Sequence, residues 1–424
     1  MDKRFINLFN LTEDQAIALL DTPQDQLDEE DSRYIAASHL VNFPTEKTIA
    51  ALIRAIQTTD PQLDNRIVRR KSVETLGRLE AVQALPVIQE CLADDDCYTV
   101  ENAVWAIGEI GTQDATILEA MAALLDKPSQ TYRVIIHTLT KLDYQPALAR
   151  IRKFVDVDDK PIASAAMAAV CRMTGDYSGM AQVVEFLQHE NVYTRRLCIQ
   201  DLIDAKYYSA IPAIAKAPVS LVFRLRGIRL LAEAGMPDAI TWDAVRPSLE
   251  AVLRDHPRDL EMVHEYDQPP VLDFVIRELY ETDFGRSYLA TQTILETYAD
   301  VAPAAIMATY EAEGYADYGA HYHVMKLLGW LKYAPATDML IEILNHPQPQ
   351  FQKSRAAAAL ALGEIGDPRA IEPLKACLSA RIWDLKYAAL LALEQLGDTS
   401  GFALVAQDAD WAVRAKAQRY LANH

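Results

Sequence analysis

The chain has 424 residues, half of them hydrophobic and 24% charged, with a formal net charge of −19. This is the composition of a globular protein with a large core, and its acidity excludes the basic stripe that a nucleic-acid binder needs to displace counterions. Anionic membrane surfaces are disfavoured for the same reason. No apolar run reaches the length of a membrane span, and the N-terminal Met-Asp-Lys-Arg-Phe has no secretory core, so a cytoplasmic protein is expected. The five cysteines, Cys91, Cys97, Cys171, Cys198 and Cys377, show no Cys-x-x-Cys spacing. They read as reduced thiols, small hydrophobes at Cys171, Cys198 and Cys377, with Cys97 in a polar turn.

Residues 1–65 read as an irregular helical cap. Thr12 stands three residues before Gln15, a capping-box signature for a helix through Leu20, and a second helix pair surrounds Pro44. Residues 66–235 carry a repeat. Arg70-Lys-Ser-Val-Glu-Thr-Leu-Gly-Arg-Leu79 matches Glu101-Asn-Ala-Val-Trp-Ala-Ile-Gly-Glu-Ile110, with Gly77 and Gly108 one period of 31 apart. Each copy is followed by a turn and a second apolar helix, and weaker copies begin near Tyr132, Ile162 and Val192. In the clearest copy Asp96 is the expected N-cap, Val100, Ala103, Val104, Ala106 and Ile107 form the apolar stripe, and Gly108 and Gly111 are expected to stop the helix. Residues 236–350 lose the pattern among Pro237, Pro247, Pro257, Pro269 and Pro270 and are rich in tyrosine. The repeat returns over 351–424, where Gly366 and Gly397 are again 31 apart.

A helix pair cannot bury its apolar stripe alone, whereas stacked pairs bury it against each other, and alanine at the contacts lets them approach closely. The expected fold is therefore all-α, one continuous curved α-solenoid whose repeats resemble HEAT (armadillo-type) repeats.

Residues on the repeat helices that depart from packing duty are the candidates for chemistry. Tyr98, Glu101, Asn102 and Trp105 share one helix face behind Asp94-Asp95-Asp96; a solvated lead-in turn with one snorkelling tryptophan accounts for the same residues. Arg195 and Arg196 open the helix near Val192, and Arg224, Arg226 and Arg229 follow one repeat later. Either they form a cationic patch for carboxylates or they are structural arginines paired between repeats. Third is Asp317-Tyr318-Gly319-Ala-His321-Tyr322-His323. Asp317 and His321 stand i,i+4 for pairing, a histidine so placed titrates near neutrality, and Gly319 opens space for a planar ligand; an aromatic core seam is the plainer reading. No third ligand for His321 and His323 is near in sequence, so no metal is expected. The His189-Glu190 and His264-Glu265 pairs lie off the repeat period, which disfavours a di-iron site. No phosphate loop and no Gly-x-Ser-x-Gly motif is present.

The segments YTVENAVWAIGEIG, NVYTRRLCIQDLIDA and YGAHYHVMKLLGWLK, set in helix-pair repeats over nearly the whole chain, resemble the E/F-type phycobilin lyases of cyanobacteria. The single-chain lyases and lyase-isomerases that act on phycoerythrin are the most similar. The resemblance implies thioether attachment of phycoerythrobilin, as substrate rather than permanently bound cofactor, to a cysteine of a phycoerythrin subunit, the alpha subunit being favoured, with isomerisation to phycourobilin as a further step. It implies Arg195 and Arg196 on the propionates and Asp96 or Glu101 on the pyrrole nitrogens. Tyr98, Asn102, Trp105, Gly319 and Tyr322 would line the bilin, and Asp317, Tyr318 and His321 would move protons. A non-enzymatic HEAT-repeat scaffold or chaperone is the competing class.

Overall fold

The computed structural model describes residues 11–28, 31–59 and 61–423; residues 1–10 of the expected N-terminal cap lie outside it. Every regular element among the described residues is helical, and no strand is present. The chain separates into two compact units, Met1–Ala181 and Gln182–His424. No described helix is long and apolar enough to cross a membrane.

In the first unit the capping box at Thr12 and Gln15 is formed. The repeat helices follow as α1 (Leu63–Arg78), α2 (Cys97–Ile110), α3 (Tyr132–Lys141) and α4 (Lys160–Thr174). Their apolar stripes merge into one core that includes Val73, Leu76, Val104, Ile107, Ile135 and Leu139. The second unit holds α5 (Val192–Asp204), α6 (Leu221–Gly235), α7 (Trp242–Arg254), α8 (Phe284–Thr297), α9 (Tyr318–Trp330), α10 (Gln352–Ile365), α11 (Trp383–Gln395) and α12 (Trp411–Asn423). Cys91, Cys171, Cys198 and Cys377 are buried, and Cys97 is exposed at the start of α2.

Two local expectations are corrected. Gly108 does not stop α2: it lies inside the helix, which ends at Gly111 with φ +78°. Its role is contact, since a Cβ there would lie 2.9 Å from Thr138 Cγ2 on α3. The repeat glycine is thus where neighbouring first helices touch backbone to side chain. At Gly329 of α9 the approach is backbone to backbone, a Cβ there lying 2.5 Å from Ala361 Cα of α10. Pro247 does not break the chain either; it sits within α7. It removes one backbone hydrogen bond, but Val245, Leu249, Val252 and Leu253 are buried along that helix, and tertiary packing outweighs the lost bond.

The segment expected to be irregular has its own order. Helix α7 lies along the first helices of the C-terminal repeats. Lys326 of α9 donates to the carbonyls of Leu253 and Arg254, both at 2.8 Å. Glu250 accepts from Tyr387 of α11 at 3.0 Å and Lys416 of α12 at 3.2 Å. Trp242 packs edge-on against Tyr387 and Trp411. Gly329→Val is expected to force α9 and α10 apart and to lower the unfolding free energy by about 3 kcal/mol, the upper end for overpacking. Denaturant unfolding checks it, and a loss under about 0.5 kcal/mol would contradict the close contact.

Candidate functional site

The first turns of α5 and α6 sort their side chains by position. The fourth residue points back into the preceding turn. Arg195 there is fully buried and donates through Nη1 to the carbonyls of His189 at 2.8 Å and Glu190 at 3.0 Å, with Asp283 at 3.5 Å from Nη2. Arg224 repeats this on α6, donating to the carbonyls of Val219 at 3.0 Å and Ala215 at 3.1 Å. Arg195 is 0% exposed, so burial keeps it from reaching a propionate, although its Nε and Nη2 have no hydrogen-bond partner. The second residue of the turn points outward instead: Tyr98, Tyr193 and Val222 are each more than half exposed.

Arg224 also anchors the centre of the second unit. Its Nη2 donates to Asp255 Oδ1 and, at 2.8 Å, to the Tyr288 hydroxyl. Tyr288 and Tyr322 both donate to Asp255 Oδ2, the former at 2.9 Å. Asp255 ends α7 with φ +54°, and all four side chains are about 1% exposed. A buried carboxylate that lost this arginine and these hydroxyls would cost several kcal/mol, so the cluster holds together as a unit. Burial pushes both tyrosine hydroxyls well above their ordinary range, and they remain protonated donors. Tyr322 is therefore a structural residue, not a surface for bilin.

The two tyrosines reach Asp255 because α8 and α9 begin alike. Asp283-Phe284-Gly285 and Asp317-Tyr318-Gly319 each open a helix with the aspartate as N-cap, and a tyrosine follows five residues after each aspartate. Asp317 accepts from the Gly319 and Ala320 amides at 2.9 and 2.8 Å. A Cβ on Gly319 would meet that same carboxylate at 3.3 Å, so the space it leaves is filled by the cap and is not open to a planar ligand. Nor do Asp317 and His321 pair. His321 is buried among Tyr310, His346 and Phe351, and burial with His346 nearby pushes it down to about 4. It is neutral at physiological pH and does not titrate near neutrality. Tyr318 remains on the surface, 52% exposed.

In the first unit, Asp96 caps α2 by accepting from Thr99 and takes a two-pronged bond from Arg70, both prongs at 2.6 Å. Burial raises its pKa, yet the Arg70 and Thr99 bonds outweigh that and hold the carboxyl below its usual range. Its lone pairs are engaged, so Asp96 does not face a ligand. Tyr98 stacks on Arg70, its ring centroid 4.7 Å from the guanidinium carbon. Glu101, Asn102 and Trp105 are half-buried on the face that joins them, and burial raises the Glu101 carboxyl. A hollow of about 350 Å³ at the start of α2 is lined by Arg66, Arg69, Asp94, Asp95 and Thr99, and by none of Glu101, Asn102 and Trp105. Arg69 and Asp94 already pair across it.

The remaining arginines expected as a cationic patch lie on one open face of the second unit. Arg196 packs over Phe223, 4.9 Å to the ring centroid, and Arg226 donates to Gln200 at 2.6 Å. Arg229 lies 4.0 Å over the Trp383 ring and pairs with Asp410 at 2.7 Å. Between α6 and α11 this face opens into a cavity of about 370 Å³ lined by Val222, Leu225, Arg226, Arg229, Leu230, Glu233, Trp383 and Asp384. Burial pushes the Asp384 carboxyl up, and none of the described cations lies within 4.0 Å of it. The cavity thus offers an apolar floor, a flat indole wall, guanidinium groups and a carboxyl that retains its proton more readily than a free one. Trp383 and Asp384 were not singled out in the sequence, because their helix, α11, reads there as a plain repeat copy.

The sequence matches the family described as HEAT repeats over residues 21–108, 62–140 and 310–394. It is 64% identical to an uncharacterized phycocyanin operon protein Y of Pseudanabaena tenuis, over 98% of this chain and 99% of that one. It is 31% identical to the bilin biosynthesis protein CpeY of a Synechococcus species, over 93% of this chain and 98% of the relative. Among solved structures, the complex of CpcE and CpcF of phycocyanin lyase from Nostoc is 26% identical, over 57% of this chain and 95% of that one, with a TM-score of 0.48.

Two buried histidines give the fold a pH signature. Burial pushes His323 down to about 3 and His321 to about 4, against about 6.5 in an unfolded chain. The unfolded state therefore binds more protons between these values, so stability rises with pH across that window and is lost as pH falls from about 6.5. Each histidine contributes a slope of up to about 1.4 kcal/mol per pH unit. His323→Leu is expected to flatten the dependence by that amount in unfolding titrations from pH 7 to 4.5; an unchanged slope would contradict its buried neutral state.

Proposed function

The chain belongs to the E/F-type bilin lyase family of HEAT-repeat proteins, and from that premise we propose that it joins phycoerythrobilin, through a thioether bond, to a cysteine of a phycoerythrin subunit, the alpha subunit first. The observation that carries this reading is the full-length likeness to the bilin biosynthesis protein CpeY. The cavity between α6 and α11 supports it chemically. A bilin is flat and conjugated, bears two propionates and has pyrrole N–H groups. Trp383 offers a stacking wall, Arg226 a guanidinium at the rim, and Asp384 a carboxyl for the pyrrole nitrogens. The nucleophile is the acceptor's thiol, so the chain acts by holding the bilin and presenting one face.

The conversion to phycourobilin is the second half of the proposal. Asp384 takes the proton-transfer role first expected of Asp317 and His321, since it is a half-buried carboxyl that no described cation neutralises. A second acceptor is favoured by the name of the 64% identical relative, which associates that protein with a phycocyanin operon.

Co-expression with a phycoerythrobilin-producing pathway and each candidate subunit tests the reading. Expected is covalent bilin on the phycoerythrin alpha subunit only when the chain is present. Attachment to the phycocyanin subunit alone would move the acceptor, and attachment to neither would favour the scaffold. Product absorption at the phycourobilin position decides the isomerisation. Arg226→Ala is expected to weaken bilin binding about tenfold while leaving the melting temperature unchanged, because Arg226 is exposed.

A further inference from the structure

Lys353, the second residue of α10, is set apart from the other shielded lysines of the second unit. Lys326 is satisfied by carbonyls, Lys386 by Asp408 at 2.5 Å, and Lys416 by Glu394 at 2.7 Å. Lys353 has three aromatic rings instead. Its Nζ lies 4.2 Å from the Phe284 centroid, 5.0 Å from that of Tyr322 and 5.1 Å from that of Tyr318. Among the described residues no carboxylate lies within 4.0 Å of it, in a chain with 60 acids against 41 bases. Beside it the His323 ring packs 5.0 Å from Phe284 and 5.2 Å from Tyr322. That histidine is 1% exposed, and its Nε2 has no hydrogen-bond partner. The outer wall, Tyr318, is open to solvent.

We propose that Lys353 is the anchor for a carboxylate carried on a flat conjugated ligand, which slides along the Tyr318 face so that its acid meets the ammonium. This rests on the bilin reading above, under which the carboxylate is a propionate. It supplies the cation that Arg195 does not, since that arginine is fully buried. Position agrees with this. Lys353 and Asp384 are 31 residues apart, one repeat period, and each is the second residue of its helix, so they hold equivalent places in neighbouring repeats. The rings explain why a cation waits there without an acid: their faces hold an ammonium electrostatically and leave its N–H groups for an incoming anion. Burial holds the Lys353 amine down to about 8, against the pull of Asp255 and Asp317, and a bound carboxylate would raise it.

The test titrates the full chain with biliverdin and with its dimethyl ester, by absorption. The wild type is expected to bind the free acid about tenfold tighter than the ester, the range of one charge-assisted hydrogen bond. Lys353→Gln should bind both alike, at the wild-type affinity for the ester, and Lys353→Arg should restore most of the preference. A tenfold preference that survives in Lys353→Gln, or none in the wild type, overturns the assignment. If neither tetrapyrrole binds, the bilin reading falls instead. Nitrogen-15 NMR of the lysine amines with sodium benzoate then decides the subsite: a rise in the Lys353 pKa supports it, and no change overturns it.

Discussion

One buried carboxylate organises the second unit. Asp255 sits at the left-handed end of α7 and takes its bonds from Arg224 on α6, Tyr288 on α8 and Tyr322 on α9. Each donor comes from a different helix, so the segment that abandons the 31-residue repeat is fixed by a polar point and not only by an apolar stripe. The geometry demands completeness. An aspartate out of water must be met by a cation and by hydroxyls, and a guanidinium out of water must find acceptors for its remaining N–H groups. Arg224 finds them in the Val219 and Ala215 carbonyls, the same kind of partner that Arg195 finds one repeat earlier.

That satisfied centre accounts for what is left on the surface. On α5 and α6 the fourth residue is committed to backbone carbonyls, while the second faces outward. Arg195 and Arg224 are therefore structural, Arg196 packs over Phe223, and the exposed Arg226 and the mostly buried Arg229 lie beside Trp383 and Asp384. Tyr288 and Tyr322 are consumed by the cluster, whereas Tyr318, one helix turn before Tyr322, stays in solvent with Lys353 over its ring. The proposed bilin face is thus the complement of the packing scheme: an aromatic and charged margin on helices whose other sides are fully engaged.

The repeat was legible in the sequence because its cause is local. A small residue every 31 positions marks where helices touch, and Gly77, Gly329 and Gly363 each meet the neighbouring helix at an alanine. The copies expected near Tyr132, Ile162 and Val192 follow from the same rule, the middle one starting at Lys160. The site was legible only in outline. The arginine cluster was visible, but adjacent arginines differ by about 100° around a helix, and which of them faces carbonyls depends on the preceding turn. The tandem Asp-Phe-Gly and Asp-Tyr-Gly starts, 34 residues apart, were present in the segment read as irregular, masked by prolines such as Pro247 that turn out to lie in helix. Asp255 and Lys353 gave no local signal, since what defines them is contributed by residues 31 to 69 positions away.

The account stands on bilin being held by the second unit along α6 and α11. Hydrogen–deuterium exchange of the full chain, with and without phycoerythrobilin, tests this most directly. Slower exchange is predicted at the first turns of α6, α10 and α11, with α2 unchanged. Protection confined to Cys97–Ile110, with none over Val222–Glu233 or Trp383–Tyr387, would contradict it.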